Sequence, residues 1–223
     1  MRAMSDPRAR MRELAAQYVR KGEELGWFEQ LYQEGERGES VVPWGDGTPN
    51  PHLVTFWQEH RLETAGKTAL VVGSGFGDDA EQLARWGFTT TGFDISATAI
   101  EQTKKRYPHS PVSYVRADLF DPPRAWIRAF DFVLEIYTIQ SFTADLRAKS
   151  IDAIARFVAP GGRLLVIARG RADEWEGTGP PWPLTREELD GFQRAGLESE
   201  SFDDYAEPEP PWVRRFRALY RRP

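Results

Sequence analysis

Gly73-Ser74-Gly75-Phe76-Gly77-Asp78-Asp79 follows directly on the apolar run Ala69-Leu70-Val71-Val72, and a second run ends in Asp94, 21 residues after Gly73. A chain that leaves a strand and enters a helix within a few residues needs glycine, which reaches positive φ and lets the backbone approach a ligand closely. In open α/β sheets, ligands bind outside the carboxyl ends of the strands, where such a turn lies. The spacing then discriminates. A dinucleotide turn requires Gly-x-Gly-x-x-Gly. Counted from Gly73, the second glycine is Gly75, but the sixth position is Asp78 and the third glycine, Gly77, comes one residue early. Asp78 and Asp79 suit the dipole at a helix start and would repel a pyrophosphate. S-adenosylmethionine, which has no phosphate and carries a sulfonium and an ammonium, fits an acidic loop.

Further acids fall at successive strand ends. Asp94 stands where a carboxylate accepts bonds from ribose hydroxyls; the plainer alternative is a cap for the helix after Ile95. Asp118, in Arg116-Ala117-Asp118-Leu119, lies within reach of an adenine amino group, or is an ordinary loop acid. The segment after the fourth strand, Glu135-Ile136-Tyr137-Thr138-Ile139-Gln140-Ser141, supplies the candidate catalytic groups Glu135 and Tyr137. Strand alternation can turn either of them into packing instead. Glu135 is also counted as a possible cofactor contact. Arg169 and Arg171 follow the fifth strand and suit an anionic substrate, or are exposed loop charges. Trp27, Phe28, Tyr32, Trp44, Trp175 and Trp182 lie in segments flanking the strand ends, as a lid, as walls for a planar substrate, or as plain core.

The elements that must position these groups are legible from periodicity. Leu14, Tyr18, Leu25, Phe28, Leu31 and Tyr32 recur at helical spacing within residues 5–33, with Gly22 and Gly26 breaking the run into two helices. A Gly- and Pro-rich loop follows to Pro51, then a helix over Leu53–Glu63. From Thr68 the pattern alternates: strands at Thr68–Val72, Thr89–Asp94, Val112–Ala117, Phe130–Tyr137 and Arg163–Ala168, and helices at Asp78–Trp86, Ala97–Tyr107 and Asp145–Val158, the last closed by Pro160-Gly161-Gly162. Short apolar strands alternating with amphipathic helices imply a doubly wound, mostly parallel α/β sheet. Thr185 and Glu188 form a capping box that opens a helix. Leu197–Asp204 and Trp212–Arg221, joined by a Pro-rich loop, read as an antiparallel hairpin at the sheet edge.

Composition bounds the function. The chain has 223 residues and a formal net charge of -5, which argues against a nucleic-acid-binding surface. Arg214, Arg215, Arg217, Arg221 and Arg222 read as a solvated strand face. Without cysteine there is no disulfide, thiolate metal site or thiol nucleophile. His52, His60 and His109 are scattered, so no metal site is expected. No apolar run approaches the roughly 18 residues of a membrane span. Met1–Arg20 has no signal-peptide core. A cytoplasmic protein without a membrane partner is expected.

Taken in order, these motifs resemble the class I S-adenosylmethionine-dependent methyltransferases over residues 66 to 220. Within that class the chain is most similar to the thiopurine, thiol and halide methyltransferase-like branch. Three segments carry the narrower likeness: Leu70-Val71-Val72-Gly73, with Val71 where most of the class places an acid; Val42-Pro43-Trp44-Gly45-Asp46-Gly47-Thr48-Pro49-Asn50-Pro51; and Gly179-Pro180-Pro181-Trp182-Pro183. Ser74 replaces a cysteine, and Val72 a proline, frequent at those places in the branch.

The resemblance implies a Rossmann-like seven-stranded sheet with an antiparallel C-terminal hairpin. It implies that Gly73, Gly75 and Gly77, with Ser74 between them, meet the amino-acid end of S-adenosyl-L-methionine. Asp94 and Ile95 would meet the ribose, Asp118 and Leu119 the adenine, and Trp44 would cover the cofactor. Residues 1–65 would form an N-terminal helical cap with the Pro/Trp loop, and residues 66–223 the cofactor-binding domain, together one compact unit. The expected activity is direct in-line methylation of a small molecule, a thiol or other soft nucleophile or a heteroaromatic ring. The alternatives are a noncatalytic S-adenosylmethionine-binding protein and an NAD-dependent oxidoreductase.

Overall fold

The structure is a computed structural model and describes residues 6, 8–172, 179–207 and 213–223. Its strands are β1 (Thr68–Val72), β2 (Thr89–Asp94), β3 (Ser113–Arg116), β4 (Phe130–Ile136), β5 (Val158–Arg169), β6 (Glu198–Ala206) and β7 (Arg214–Arg221). Its helices are α1 (Ala9–Lys21), α2 (Gly26–Glu36), α3 (Pro51–His60), α4 (Asp78–Arg85), α5 (Ala97–Arg106), α6 (Ala144–Ala155), α7 (Arg186–Leu189) and α8 (Gly191–Arg194). One seven-stranded sheet runs in the order β3-β2-β1-β4-β5-β7-β6. The first five strands pair in parallel, and β7 lies antiparallel between β5 and β6. The strand order reverses beside β1, which pairs with both β2 and β4. A crevice therefore opens at the carboxyl ends of these strands, where sheets of this kind take ligands.

Both sheet faces are covered, as a parallel sheet requires. Alternate residues of one strand feed opposite cores. Leu70 and Val72 pack with Val133, Ile151, Ile154 and Phe192 on the α6–α8 face. Ala69 and Val71 pack with Leu53, Phe56, Leu83 and Ile100 on the α3–α5 face. A third cluster belongs to the cap: Met11, Leu14, Trp27, Leu31 and Tyr32 close on Val42 and on Ala99 of α5. Polar bonds fix the cap's position. Arg10 grips Glu34 with two bonds of 2.8 and 2.6 Å, joining α1 to α2. Glu29 of α2 accepts from Ser96 Oγ at 2.6 Å and Thr98 Oγ1 at 2.7 Å at the start of α5.

Element boundaries differ from expectation where side chains terminate them. The helix expected to run to Val158 stops at Ala155, because Arg222 donates to the carbonyls of Ala155 and Val158 at 2.6 and 2.9 Å. Cationic donors suit the open carbonyls of a helix end. Pro160-Gly161-Gly162 therefore lies within β5, which begins at Val158 opposite Phe130. The helix expected to reach Glu63 ends at His60, with Arg61 left-handed at φ 43°. The capping box forms as expected, but the helix it opens breaks at Asp190 into α7 and α8. The C-terminal arginines are only partly a solvated face: Arg214 and Arg221 are exposed. Arg215 and Arg217 are buried; Arg217 bonds Asp203 and Glu59, and Arg214 pairs with Asp204. Trp175 and Trp212 lie outside the described residues. Among the described residues, no helix is long and apolar enough to cross a membrane.

Gly77, the N-cap of α4, shows why the turn tolerates no side chain. Its φ is +85°, and a Cβ there would stand 2.5 Å from the Tyr114 hydroxyl and 2.7 Å from Thr103 Cγ2. Gly66 has a φ of +71° but open space around it. Gly77→Ala is expected to cost about 2–4 kcal/mol from backbone strain plus overpacking, against about 1–2 kcal/mol from strain alone for Gly66→Ala. Urea denaturation of the two variants checks this; equal losses would show that the contacts of Gly77 are irrelevant.

Candidate active site

A cavity of about 360 Å³ occupies the crevice. Its floor is the glycine turn and the ends of β1, β2 and β4. Its roof comes from the cap and from the Pro43–His52 loop. Gly73, Ser74, Gly75, Gly77, Asp94, Ile95, Asp118, Leu119, Trp44 and Tyr137 all line it, so the structure brings together groups spread over nearly one hundred residues. Asp94 is the keystone. Its Oδ2 accepts from Gly75 N at 3.0 Å and its Oδ1 from Ser96 N at 2.9 Å. Each oxygen retains a lone pair for a ligand. The helix cap is Ser96, whose Oγ accepts from Ala99 N, so Asp94 is not the cap. Asp118 takes one turn bond, from Phe120 N at 2.8 Å. Ser74 presents its backbone: its Oγ is buried, unpaired, and packed against Gly92.

Glu135 corrects the sequence expectation. It does not line the cavity and is fully buried. In register it pairs with Val72 and Val166, so strand alternation turns it into the core face. Its Oε1 accepts from Thr138 N at 2.7 Å and Ile139 N at 3.0 Å, clasping the turn after β4, while Oε2 has no partner among the described residues. Burial pushes its carboxyl up to about 7. It shapes the turn that presents Tyr137 without lining the cavity itself. Tyr137 faces the cavity with a left-handed φ of 62°, an uncommon conformation for a bulky residue. Burial raises its hydroxyl, Arg215 and Asn50 offset part of that rise, and the Arg215 guanidinium lies over its ring at 5.2 Å.

The aromatic segments divide. Phe28, Tyr32 and Trp44 line the cavity. Trp44 Nε1 donates to the Tyr32 hydroxyl at 2.7 Å. Trp27 is not a lid residue; it is buried and stacks on Phe28 with centroids 3.8 Å apart. Trp182 does not line the cavity either, whereas its neighbour Pro181 does. Arg171 turns away, donating to Pro183 O and facing Glu188.

Charge is segregated along the cavity. Asp78 and Asp79 open the helix after the glycine turn, Asp94 bonds Gly75, and Asp46 and Asp118 line the same cavity. Arg8, Arg169 and Arg215 meet near Tyr137, with His52 and Glu207 beside them. Asp79 accepts from Asn50 N at 2.7 Å, and burial pushes its carboxyl up to about 6. Arg169 is held down to about 10 by burial and by the charges of Arg8 and Arg215. Among the described residues no carboxylate forms a salt bridge with it. His52 is lowered by burial and by Arg215; its Nδ1 meets Tyr205 Oη at 2.8 Å and its Nε2 lies 3.3 Å from Glu207. Sequence reasoning missed Arg8, Asn50, His52, Glu207 and Arg215. Only Asn50 carried a signal, as part of the Pro/Trp loop.

The donor set fits the cofactor that the acidic turn implies. A buried carboxylate awaits hydroxyls, apolar Leu119, Phe120 and Phe142 flank it, and the acids match a sulfonium and an ammonium while opposing a pyrophosphate. Burial raises Asp94 to about 6. Its ionisation therefore opposes folding: its contribution to stability is greatest below the unfolded value of 3.8 and is lost as pH rises through about 6. Hydroxyl donors favour the ionised form, so ligand affinity runs the other way. S-adenosylhomocysteine should bind about tenfold more weakly at pH 5 than at pH 7. Calorimetry should find that dependence flattened in Asp94→Asn; a slope surviving the substitution would assign it to Asp79.

Known proteins agree with this geometry. Residues 70–166 match the family model described as a methyltransferase domain. A probable thiol methyltransferase 2 of Arabidopsis thaliana is 27% identical over 188 residues, covering 80% of this chain and 76% of its own. A 2-heptyl-1-hydroxyquinolin-4(1H)-one methyltransferase of Mycobacteroides abscessus is 24% identical over 213 residues, covering 83% of this chain and 91% of its own. In fold, the chain is similar to the 1,6-didemethyltoxoflavin-N1-methyltransferase of Burkholderia thailandensis, solved with S-adenosylhomocysteine, at a TM-score of 0.66 and 16% identity, covering 100% of this chain and 92% of that one. These likenesses support a class I S-adenosylmethionine-dependent methyltransferase with thiol-methyltransferase-like relatives.

Proposed function

We propose that this small-molecule methyltransferase acts on an acceptor that presents an anion: a thiolate, or the ionised oxygen or sulfur of an acidic heteroaromatic ring. The observation that carries this reading is Arg169, a largely desolvated guanidinium that lines the cavity without a carboxylate partner among the described residues. A half-buried cation without a counter-charge is costly unless a ligand completes it. Arg8 and Arg215 add charge of the same sign. The names of the relatives above, a thiol and a hydroxyquinolone methyltransferase, agree with such acceptors.

When bound, S-adenosylmethionine supplies an already activated methyl group on a sulfonium. The chain has then to bind, orient and exclude water, which is where proximity effects arise. Asp94 would hold the ribose, Asp118 and Leu119 the adenine, and the glycine turn the amino-acid end. Tyr137 stands between the two ends of the cavity. Its left-handed backbone and the Arg215 guanidinium over its ring suit it to fixing the acceptor's orientation for in-line transfer. Among the described residues, the His and Glu side chains beside the arginines are already bonded. Both His52 nitrogens are engaged, and Glu207 accepts from Arg215 Nε at 2.8 Å. Arginines that favour the ionised acceptor replace a general base, because a soft anion needs none. The space around Tyr137 and Arg169 beyond the glycine turn favours catalysis over mere cofactor sensing.

Two measurements test this. In an acceptor screen, thiols and acidic heteroaromatics should be methylated and neutral amines should not; preference for amines would overturn the anionic reading. Arg169→Met should raise KM for the best acceptor about tenfold or more while S-adenosylhomocysteine affinity stays within about twofold. An unchanged KM would remove Arg169 from the acceptor site.

A further inference from the structure

The glycine turn has few donors to offer an anion. Ser74 N donates to Phe93 O at 2.8 Å, Gly75 N to Asp94 at 3.0 Å and Gly77 N to Ser74 O at 2.9 Å. The surrounding side chains at that end are acids. They suit the ammonium of the cofactor's amino-acid end, but the same end carries a carboxylate. A carboxylate placed among acids without donors would be repelled and left unsatisfied.

One donor stands directly over the turn, and it comes from the cap. A Cβ built on Gly75, whose φ is +53°, would lie 3.1 Å from the Tyr32 hydroxyl oxygen and 3.6 Å from Trp44 Nε1. Gly75 thus leaves the space in which the hydroxyl reaches the backbone. That oxygen accepts from Trp44 Nε1 at 2.7 Å, which fixes its place and leaves its own proton to donate. No acceptor takes that proton among the described residues. Tyr32 is 2% exposed, and it lines the cavity. Burial and the charge of Asp94 hold the phenol well above its ordinary value, so it stays a donor. No arginine acts on it; the three lining arginines sit at the acceptor end.

We propose that the Tyr32 hydroxyl donates to the carboxylate of S-adenosylmethionine, so that the N-terminal cap supplies a specificity-determining contact to the cofactor as well as a roof. The proposal rests on the cofactor assignment above. It gives the Trp44–Tyr32 bond a purpose: the indole aims the phenol, and the phenol meets the ligand. It also links cap and cofactor, since Tyr32 is placed by the packing of α2 and by the Glu29 bonds to Ser96 and Thr98.

The test is calorimetric titration of wild type and Tyr32→Phe with two ligands: S-adenosylhomocysteine and its decarboxylated counterpart. Thermal melting of both proteins runs alongside. Tyr32→Phe should weaken S-adenosylhomocysteine about tenfold or more and change the decarboxylated ligand by less than about twofold. A merely structural role would weaken both ligands equally, and that result overturns the proposal. Unchanged S-adenosylhomocysteine affinity overturns it too, while leaving the cofactor assignment intact. A wild-type protein that binds neither ligand removes the cofactor assignment and this proposal together.

Discussion

The site depends on one buried carboxylate. Asp94 closes β2, receives the Gly75 amide from the glycine turn and receives the Ser96 amide from the start of α5. Those two bonds hold together the three segments from which the crevice is made. Burial penalises the charge, and the amides offset part of that penalty without supplying a counter-ion; hence the raised pKa. A carboxylate kept in this condition is short of hydrogen bonds and retains acceptor capacity on the cavity side. A ligand bearing hydroxyl donors would complete it. The same oxygens reach the cap at second hand, because Ser96, which donates its amide to Asp94, donates its hydroxyl to Glu29 of α2.

That chain of bonds explains why the cap belongs to the active site. α1 and α2 have their own apolar cluster, but it is completed by Val42 from the loop and Ala99 from α5. The cap brings Arg8 and Tyr32 to the lining of the cavity. A cavity lined by acids beside the glycine turn and by arginines near Tyr137 would suit a cationic methyl donor and the anionic acceptor proposed above. In a space largely withdrawn from water such charges act strongly, and the separation keeps the two sets from neutralising each other.

Much of this was legible in the sequence, for physical reasons. Period-two and helical patterning revealed six of the seven strands to within two residues at either end, and the glycine spacing with Asp78 and Asp79 separated one ligand class from another by charge alone. These are local properties: a turn needs its glycines, and a helix start favours its acids, wherever the chain folds. Capping by Thr185 and Glu188 was equally local. Boundaries set by distant partners were not legible. Arg222 ends α6 from 67 positions away, and nothing near Ala155 announces it.

Side-chain direction was the second thing only the tertiary structure decided. Glu135 and Tyr137 are two residues apart and stood equal as candidates. Register against Val72 and Val166 sends Glu135 into the core, and the left-handed turn at Tyr137 throws that ring into the cavity. The C-terminal arginines read as a solvated face because their partners, Glu59, Asp203, Asp204 and Glu207, are invisible to periodicity. The sequence by itself determined the fold class, the crevice and the sign of its cofactor end, because those follow from neighbours along the chain. Which groups meet across the crevice, and which carboxylate touches a ligand, was decided by packing, because a charge finds its partner in space, not in order.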